Sequence, residues 1–228
     1  MNVKNTILSR IQNTIAPHYC CSCGEIGDIF CEYCKYNINS EPFGRCVLCN
    51  TLTVNAESRC RTCSAPYSRM WCVGEYAEEL EKLIAAYKFN RSSLAAMAAA
   101  DLCATRLPQL PSEVVVTGVP TIPAHIRQRG YDHTKVMSQQ IAHKTGLTYR
   151  PTVERATQTV QRGASRQQRL ANAQAAFTCN SIPADTYLLV DDVFTTGATL
   201  HYAAQALLDA GAAEVWCVVV ARQPLEKQ

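Results

Sequence analysis

The sequence predicts an α/β fold, a mostly parallel sheet flanked by helices and preceded by a small cysteine-rich zinc-binding module. Three observations carry that prediction. Eight of the thirteen cysteines lie in the first 63 residues as four Cys-x-x-Cys pairs. After them, apolar runs alternate with segments of helical periodicity, the pattern of strands buried on both faces. One of those runs, YLLVDDV, leads into two adjacent carboxylates and a threonine-rich turn, at the strand end where open α/β sheets bind ligands.

With 228 residues, 47% hydrophobic and 18% charged, the chain can bury one sizeable core with a satellite module. That composition excludes a disordered protein, and no apolar run approaches a membrane span, so no membrane insertion is expected. Ile7, Leu8, Ile11 and Ile15 in MNVKNTILSRIQNTIAPHYC fall on helical spacing with polar interruptions. They read as an amphipathic helix, not the apolar core of a signal peptide, and a cytoplasmic location is expected. Charge is uneven. Residues 121–170 hold nine Arg or Lys against two acids, whereas residues 171–228 hold two bases against six acids.

The cysteine pairs are Cys20/Cys23, Cys31/Cys34, Cys46/Cys49 and Cys60/Cys63. Thiolates two residues apart grip one ion from a tight turn, and two such turns complete a tetrahedral zinc site. In a reducing compartment metal is the better reading than disulfides. Sequential grouping is the simplest arrangement, giving one or two structural zinc ions; spacing also allows cross-bracing. Cys21 and His18 stand beside the first pair as bystanders. A segment this short and poor in apolar residues needs the ion for its folding free energy. Cys72, Cys103, Cys179 and Cys217 stand alone and read as small buried hydrophobes.

Composition changes after Cys63, and two domains are expected, residues 1–66 and 67–228. Leu80, Leu83, Ile84 and Tyr87 predict a helix over 76–89. Ser92 or Ser93 caps an Ala-rich helix to about Leu107. Residues 113–119 predict a buried strand, 133–145 a helix ended by Gly146, and 148–153 a short strand. Strands at 187–193 and 214–221 enclose a helix from Ala198 to Ala210. His133 and His143 are expected on a helix surface, with no catalytic role.

In FTTGAT, Gly197 lets backbone approach a ligand at a helix N-terminus, where free N–H groups and the helix dipole favour phosphate. Thr195, Thr196 and Thr199 add hydroxyls around the same oxygens, and Ala198 contributes backbone only. The carboxylates of Asp191 and Asp192 suit a vicinal diol, with Mg²⁺ nearby to neutralise them. Phosphate at one end and diol at the other fit a 5-phosphoribosyl group. No G-x-x-x-x-G-K-[ST] is present, which argues against a nucleotide-hydrolysing P-loop.

An apolar strand, two acids, an apolar pair and Thr-Thr-Gly-x-Thr together resemble the motif by which type I phosphoribosyltransferases bind 5-phosphoribosyl diphosphate (PRPP). The whole chain resembles the ComF family, which includes the ComFC competence proteins and GntX-like proteins. The Cys-x-x-Cys module, YKFNRSSLAAMAAADL, VPTIPAHIRQRGYDHTKVMSQQIA and the run from Arg155 to Phe177 carry that likeness. Asp132 stands where the family usually has Asn.

The resemblance implies a type I phosphoribosyltransferase-like fold that binds PRPP with Mg²⁺. Asp191 and Asp192 would be the catalytic residues, holding the ribose and metal side, and Thr195 to Thr199 would cradle the 5-phosphate. Arg127, Arg129 and Gly130 would line the pyrophosphate loop, and Arg162, Arg166 and Arg169 a closing hood, with Lys88 a weaker candidate. It also implies a role in DNA uptake or natural transformation, with single-stranded DNA and other competence proteins as partners. Tyr131 or Tyr149 could stack a base there. The alternatives are an active phosphoribosyltransferase of nucleobase-salvage type, or a non-catalytic zinc-stabilised PRPP sensor.

Overall fold

The computed structural model describes residues 18–40, 42–54, 57–155 and 176–224; the expected N-terminal helix and hood arginines lie outside them. A two-residue antiparallel pair, β1 (His18–Tyr19) and β2 (Ile26–Gly27), opens the described chain, followed by α1 (Glu32–Ser40). Then come β3 (Arg69–Glu75), α2 (Glu78–Lys88), α3 (Ser93–Arg106) and β4 (Val115–Gly118). Two helices, α4 (Pro123–Arg129) and α5 (His133–Thr145), lead to β5 (Thr148–Tyr149), β6 (Val153–Arg155) and β7 (Phe177–Cys179). The described chain closes with β8 (Thr186–Phe194), α6 (Ala198–Asp209) and β9 (Glu214–Arg222).

Five strands form one parallel sheet in the order β3-β9-β8-β4-β5. Alternation along each strand sorts its side chains into two cores. Val116, Leu188, Val190, Val218 and Val220 face Leu83, Ile84, Met137 and Ile141 of α2 and α5. Val115, Leu189, Val215 and Val219 face Ala203, Ala204 and Leu207 of α6. Burying each larger aliphatic side chain contributes about 1.5–3 kcal/mol, so both helical layers are bound tightly to the sheet.

The sheet order decides where a ligand can sit. From β4 the chain crosses to β5 on one side; from β8 it crosses to β9 on the other. The switch point therefore lies between β4 and β8, and the crevice beyond their carboxyl ends opens there.

The cysteine-rich segment packs on the edge strand β3. Cys72 N–H donates to Ser58 Oγ at 2.9 Å, so this segment occupies hydrogen-bonding groups that an edge strand would otherwise expose. Phe30 joins one core, while Phe43, Val47 and Tyr67 join the other. At the end of β9, buried Arg222 donates from Nε to Val47 O at 3.1 Å and from a terminal nitrogen to Asn50 Oδ1 at 2.9 Å.

Several expectations need adjusting. The strand β3 was not anticipated, nor were α1, α4 and β7. The strand expected over 148–153 is two: β5 joins the main sheet, and β6 pairs antiparallel with β7. Pro151 between them has no N–H to continue a ladder. Ser92 is the cap of α3, its Oγ accepting from Ala95 N–H at 3.2 Å. Among the described residues no helix is long and apolar enough to cross a membrane.

Candidate functional site

Asp191 and Asp192 lie inside β8, which continues to Phe194 beside β9. Both are buried, at 8% and 7% exposure, and each accepts from the next backbone N–H. Asp192 N–H donates to Asp191 Oδ1 at 2.9 Å, and Val193 N–H to Asp192 Oδ1 at 2.6 Å. Beyond that the two diverge. Asp192 Oδ2 lies 2.7 Å from Lys88 Nζ and 2.7 Å from His133 Nε2. Burial works against its charge, but these two partners hold its carboxyl well below the usual carboxylate range. Burial, with the Asp192 charge adjacent, pushes Asp191 up to about 7. Asp192 is thus the anion of the pair, while Asp191 gives up its proton only at a much higher pH.

Around the doublet is a cavity of about 210 Å³ whose walls include Lys88, Pro120, Arg129, Arg155 and Thr199. These residues come from α2, the segment after β4, α4, β6 and the start of α6, so the cavity opens at the switch point. Arg129 is fixed by donation from Nε to Lys88 O at 2.9 Å. Arg155 donates to Pro120 O at 3.3 Å, and its guanidinium lies 4.8 Å over the Phe177 ring. Two buried acids faced by three cationic side chains suit a ligand with a diol and several phosphate oxygens.

Past β8 the chain turns at Gly197, whose φ of 78° is left-handed; a Cβ there would also lie 2.5 Å from the Phe194 ring. Only glycine meets both demands. Gly197 caps α6 without a side-chain hydrogen bond of its own; the Thr196 hydroxyl accepts from Ala198 N–H at 3.4 Å, and the amides that follow in the first turn can face an anion. Thr195, Thr196, Ala198 and Thr199 are exposed. Thr196, Gly197 and Ala198 border a second cavity of about 220 Å³, whose far wall is Leu48, Ser64, Ala65 and Tyr67. A larger cavity, about 590 Å³, lies elsewhere, by the end of β3. Its lining sets Glu75, Glu78 and Glu79 against Arg45, the wrong charge balance for a polyphosphate.

The eight paired cysteines form two groups, Cys20, Cys23, Cys31 and Cys34, and Cys46, Cys49, Cys60 and Cys63. Within each, the sulfurs all lie within 4.8 Å of one another. Cys20 and Cys34 are 3.8 Å apart, Cys23 and Cys31 3.6 Å, and Cys49 and Cys60 3.6 Å. A tetrahedron of Zn–S bonds of about 2.3 Å has edges of about 3.8 Å, so either group fits one zinc ion. The Thr62 hydroxyl and the Cys63 N–H lower the Cys60 thiol to about 5, while the Cys60 and Cys49 sulfurs beside Cys63 raise its thiol to about 12. Cys72, Cys103 and Cys217 are buried in the cores, and Cys179 is half-buried.

A profile of the phosphoribosyl transferase domain matches residues 80–227, well over half of the chain. The chain belongs to that family. It is also similar to Competence protein F of Haemophilus influenzae, 29% identical over 204 residues, 81% of this chain and 86% of that protein. DNA utilization protein YhgH of Salmonella typhimurium is 30% identical over 220 residues, 82% of this chain and 95% of that protein. Among solved structures, glutamine PRPP amidotransferase from B. subtilis overlaps with a TM-score of 0.41 and 19% identity, over 57% of this chain and 26% of that one. The resemblance to the ComF family read from the sequence therefore stands.

In this phosphoribosyl transferase domain the residues expected at the site are gathered unevenly. Asp191, Asp192, Arg129 and Thr199 border one cavity. Gly130 ends α4 with a left-handed φ of 86°, and Arg127 is exposed outside that lining. Arg162, Arg166 and Arg169 lie outside the described residues. His143 is exposed, as expected. His133 corrects the expectation: it is 5% exposed, bonded to Asp192 and stacked on Tyr87 with ring centres 5.5 Å apart. As the first residue of α5 it looked like a surface position, because its burial depends on α2 and β8 crossing over it. Arg155, within the basic run, was not singled out either; only pairing of β6 with β7 brings it to the acids. Tyr131 is half-buried with its hydroxyl 2.9 Å from Tyr87 O and 3.0 Å from Ser92 O, which ties it to the α2–α3 connection. Asp132 caps α5, accepting from Lys135 N–H at 3.2 Å and from the Thr121 hydroxyl at 2.8 Å.

Proposed function

We propose that the protein binds PRPP with Mg²⁺ at the crevice between β4 and β8, in the service of DNA handling during natural transformation. The observation that carries the first part is the pairing of a buried acid doublet with the glycine-capped N-terminus of α6, separated by a turn only glycine can make. Asp191, lacking a cationic partner within hydrogen-bond distance among the described residues, offers its free oxygen to the ribose hydroxyls. The Thr195–Thr199 turn takes the 5-phosphate, while Arg129, Lys88 and Arg155 face the pyrophosphate. Oxygen donors of this kind suit Mg²⁺, which would steady charge on a departing pyrophosphate when bound.

The names of the relatives, competence protein F and DNA utilization protein, support the second part. The basic stretch 121–170 supplies charge for a nucleic-acid backbone. Two calorimetric titrations test the two parts separately. PRPP with Mg²⁺ should bind one per chain, and single-stranded oligonucleotide should bind with an affinity that falls as salt rises. Absence of heat with PRPP would remove the first part; salt-independent affinity or no binding would remove the second. Adding a panel of nucleobases and assaying pyrophosphate release separates an active salvage-type transferase from a PRPP sensor stabilised by zinc.

A further inference from the structure

His133 occupies a place no part of the proposed chemistry has yet used. Arg129 sits on one side of its ring, with a terminal guanidinium nitrogen 3.0 Å from Nδ1. Asp192 sits on the other, with Oδ2 2.7 Å from Nε2. A guanidinium nitrogen only donates, so Nδ1 must present a lone pair; a carboxylate only accepts when ionised, so Nε2 must carry the proton. The two neighbours therefore select one neutral tautomer between them. Tyr87 lies against the ring face at an interplanar angle of 21° and sets its plane.

The other groups facing the ring agree with that state. Lys88 comes from α2 onto the same Asp192 oxygen, Arg129 from α4, and the Thr121 hydroxyl approaches Nδ1 at 3.4 Å. A proton added at Nδ1 would point at Arg129 and cost that hydrogen bond. Without the imidazole, no side chain stands between the opposite charges of Arg129 and Asp192, although each keeps its bond to Lys88. Their direct pairing would remove both from the cavity.

We infer that His133 is a positioning residue, a neutral Nε2–H spacer that bonds Arg129 and Asp192 at once and keeps them from pairing with each other. This rests on the reading of the cavity as a PRPP site. Arg129 then stays aimed at phosphate oxygens by two anchors, Lys88 O and His133 Nδ1. Asp192 stays a buttress, and Asp191 is left as the acid that meets the ligand.

Three variants and one spectrum test it. In His133→Gln the amide offers an acceptor to Arg129 and a donor to Asp192 and takes no charge, so PRPP affinity should stay within about threefold of wild type. His133→Ala lets the pair collapse and should weaken PRPP binding roughly 10–100-fold, the loss expected for a buried hydrogen bond to charge. Arg129→Lys in the His133→Ala background should recover none of it, because a single ammonium cannot bridge both anchors. Imidazole ¹⁵N shifts of the neutral ring in the wild-type protein should place its one proton on Nε2. Glutamine as damaging as alanine, an alanine variant that binds like wild type, or a proton on Nδ1 in place of Nε2 would each overturn the proposal. If the wild-type protein bound no PRPP, the ligand reading alone would fall, and the nitrogen spectrum would still decide the spacer.

Discussion

Lys88 Nζ and Asp192 Oδ2 lie 2.7 Å apart, so the last residue of α2 is tied to the acid doublet on β8. The bond joins a helix of one layer to the strand that carries the site. Replacing Lys88 by Met leaves Asp192 with His133 as its partner and takes a cation from the cavity. Breaking a buried pair on one side costs about 3–5 kcal/mol; Lys88 is partly exposed, so about 1–3 kcal/mol is expected for Lys88→Met. Urea denaturation measures it, and an unchanged midpoint would count against the pairing.

Asp191 gives the protein a specific pH signature. Its carboxyl is raised to about 7 in the fold, above the usual value near 4. The folded chain therefore holds that proton more tightly than the unfolded chain. The stabilisation is complete below about pH 4 and is lost as pH rises through about 7. Asp191→Asn cannot ionise, so it should be the more stable protein at pH 8 and should lack this slope. Asp192, held low by His133 and Lys88, has the opposite sign, and Asp192→Asn should lose stability at pH 8. Thermal denaturation of both variants at pH 5 and pH 8 checks these signs.

Gly197→Ala should injure the turn twice, once through its φ of 78° and once through the Phe194 ring 2.5 Å from the new Cβ. Left-handed backbone costs a non-glycine residue about 1–2 kcal/mol, and the clash adds to it. Gly197→Ala with Phe194→Leu should recover some stability but not wild-type PRPP affinity, because the backbone strain remains. Full recovery of affinity in the double variant would show that the turn geometry is unimportant.

Metal analysis should find two zinc ions per chain, one for each group of four cysteines. Cys46→Ser disturbs the second group, whose neighbour Val47 is buried and accepts from Arg222. That arginine would then be a buried charge with a loosened partner, so the variant should destabilise the sheet as well as the knuckle. A melting profile in which the knuckle is lost and the sheet transition is unmoved would contradict the coupling.

Much of the path to the site was legible in the residues, for identifiable reasons. The helix α5 has a local cap in Asp132 and a local stop in Gly146, so both its ends were visible. β8 and β9 are apolar on both faces, which only a covered parallel strand explains. β3 was missed because RMWCVGE abuts the cysteine-rich segment and becomes a strand by pairing with β9, the last strand among the described residues. The acid doublet was recognised, but its two members were treated alike. Their difference is non-local: Lys88 and His133 reach Asp192 from two other helices, and no spacing in DDVFTTGAT foretells that.

A crystal structure of the protein grown with PRPP and Mg²⁺ decides whether the crevice between β4 and β8 is the binding site. The 5-phosphate should lie on the amides of the Thr195–Thr199 turn and the ribose hydroxyls against Asp191. Well-defined PRPP bound elsewhere, with this crevice holding only water, would contradict it.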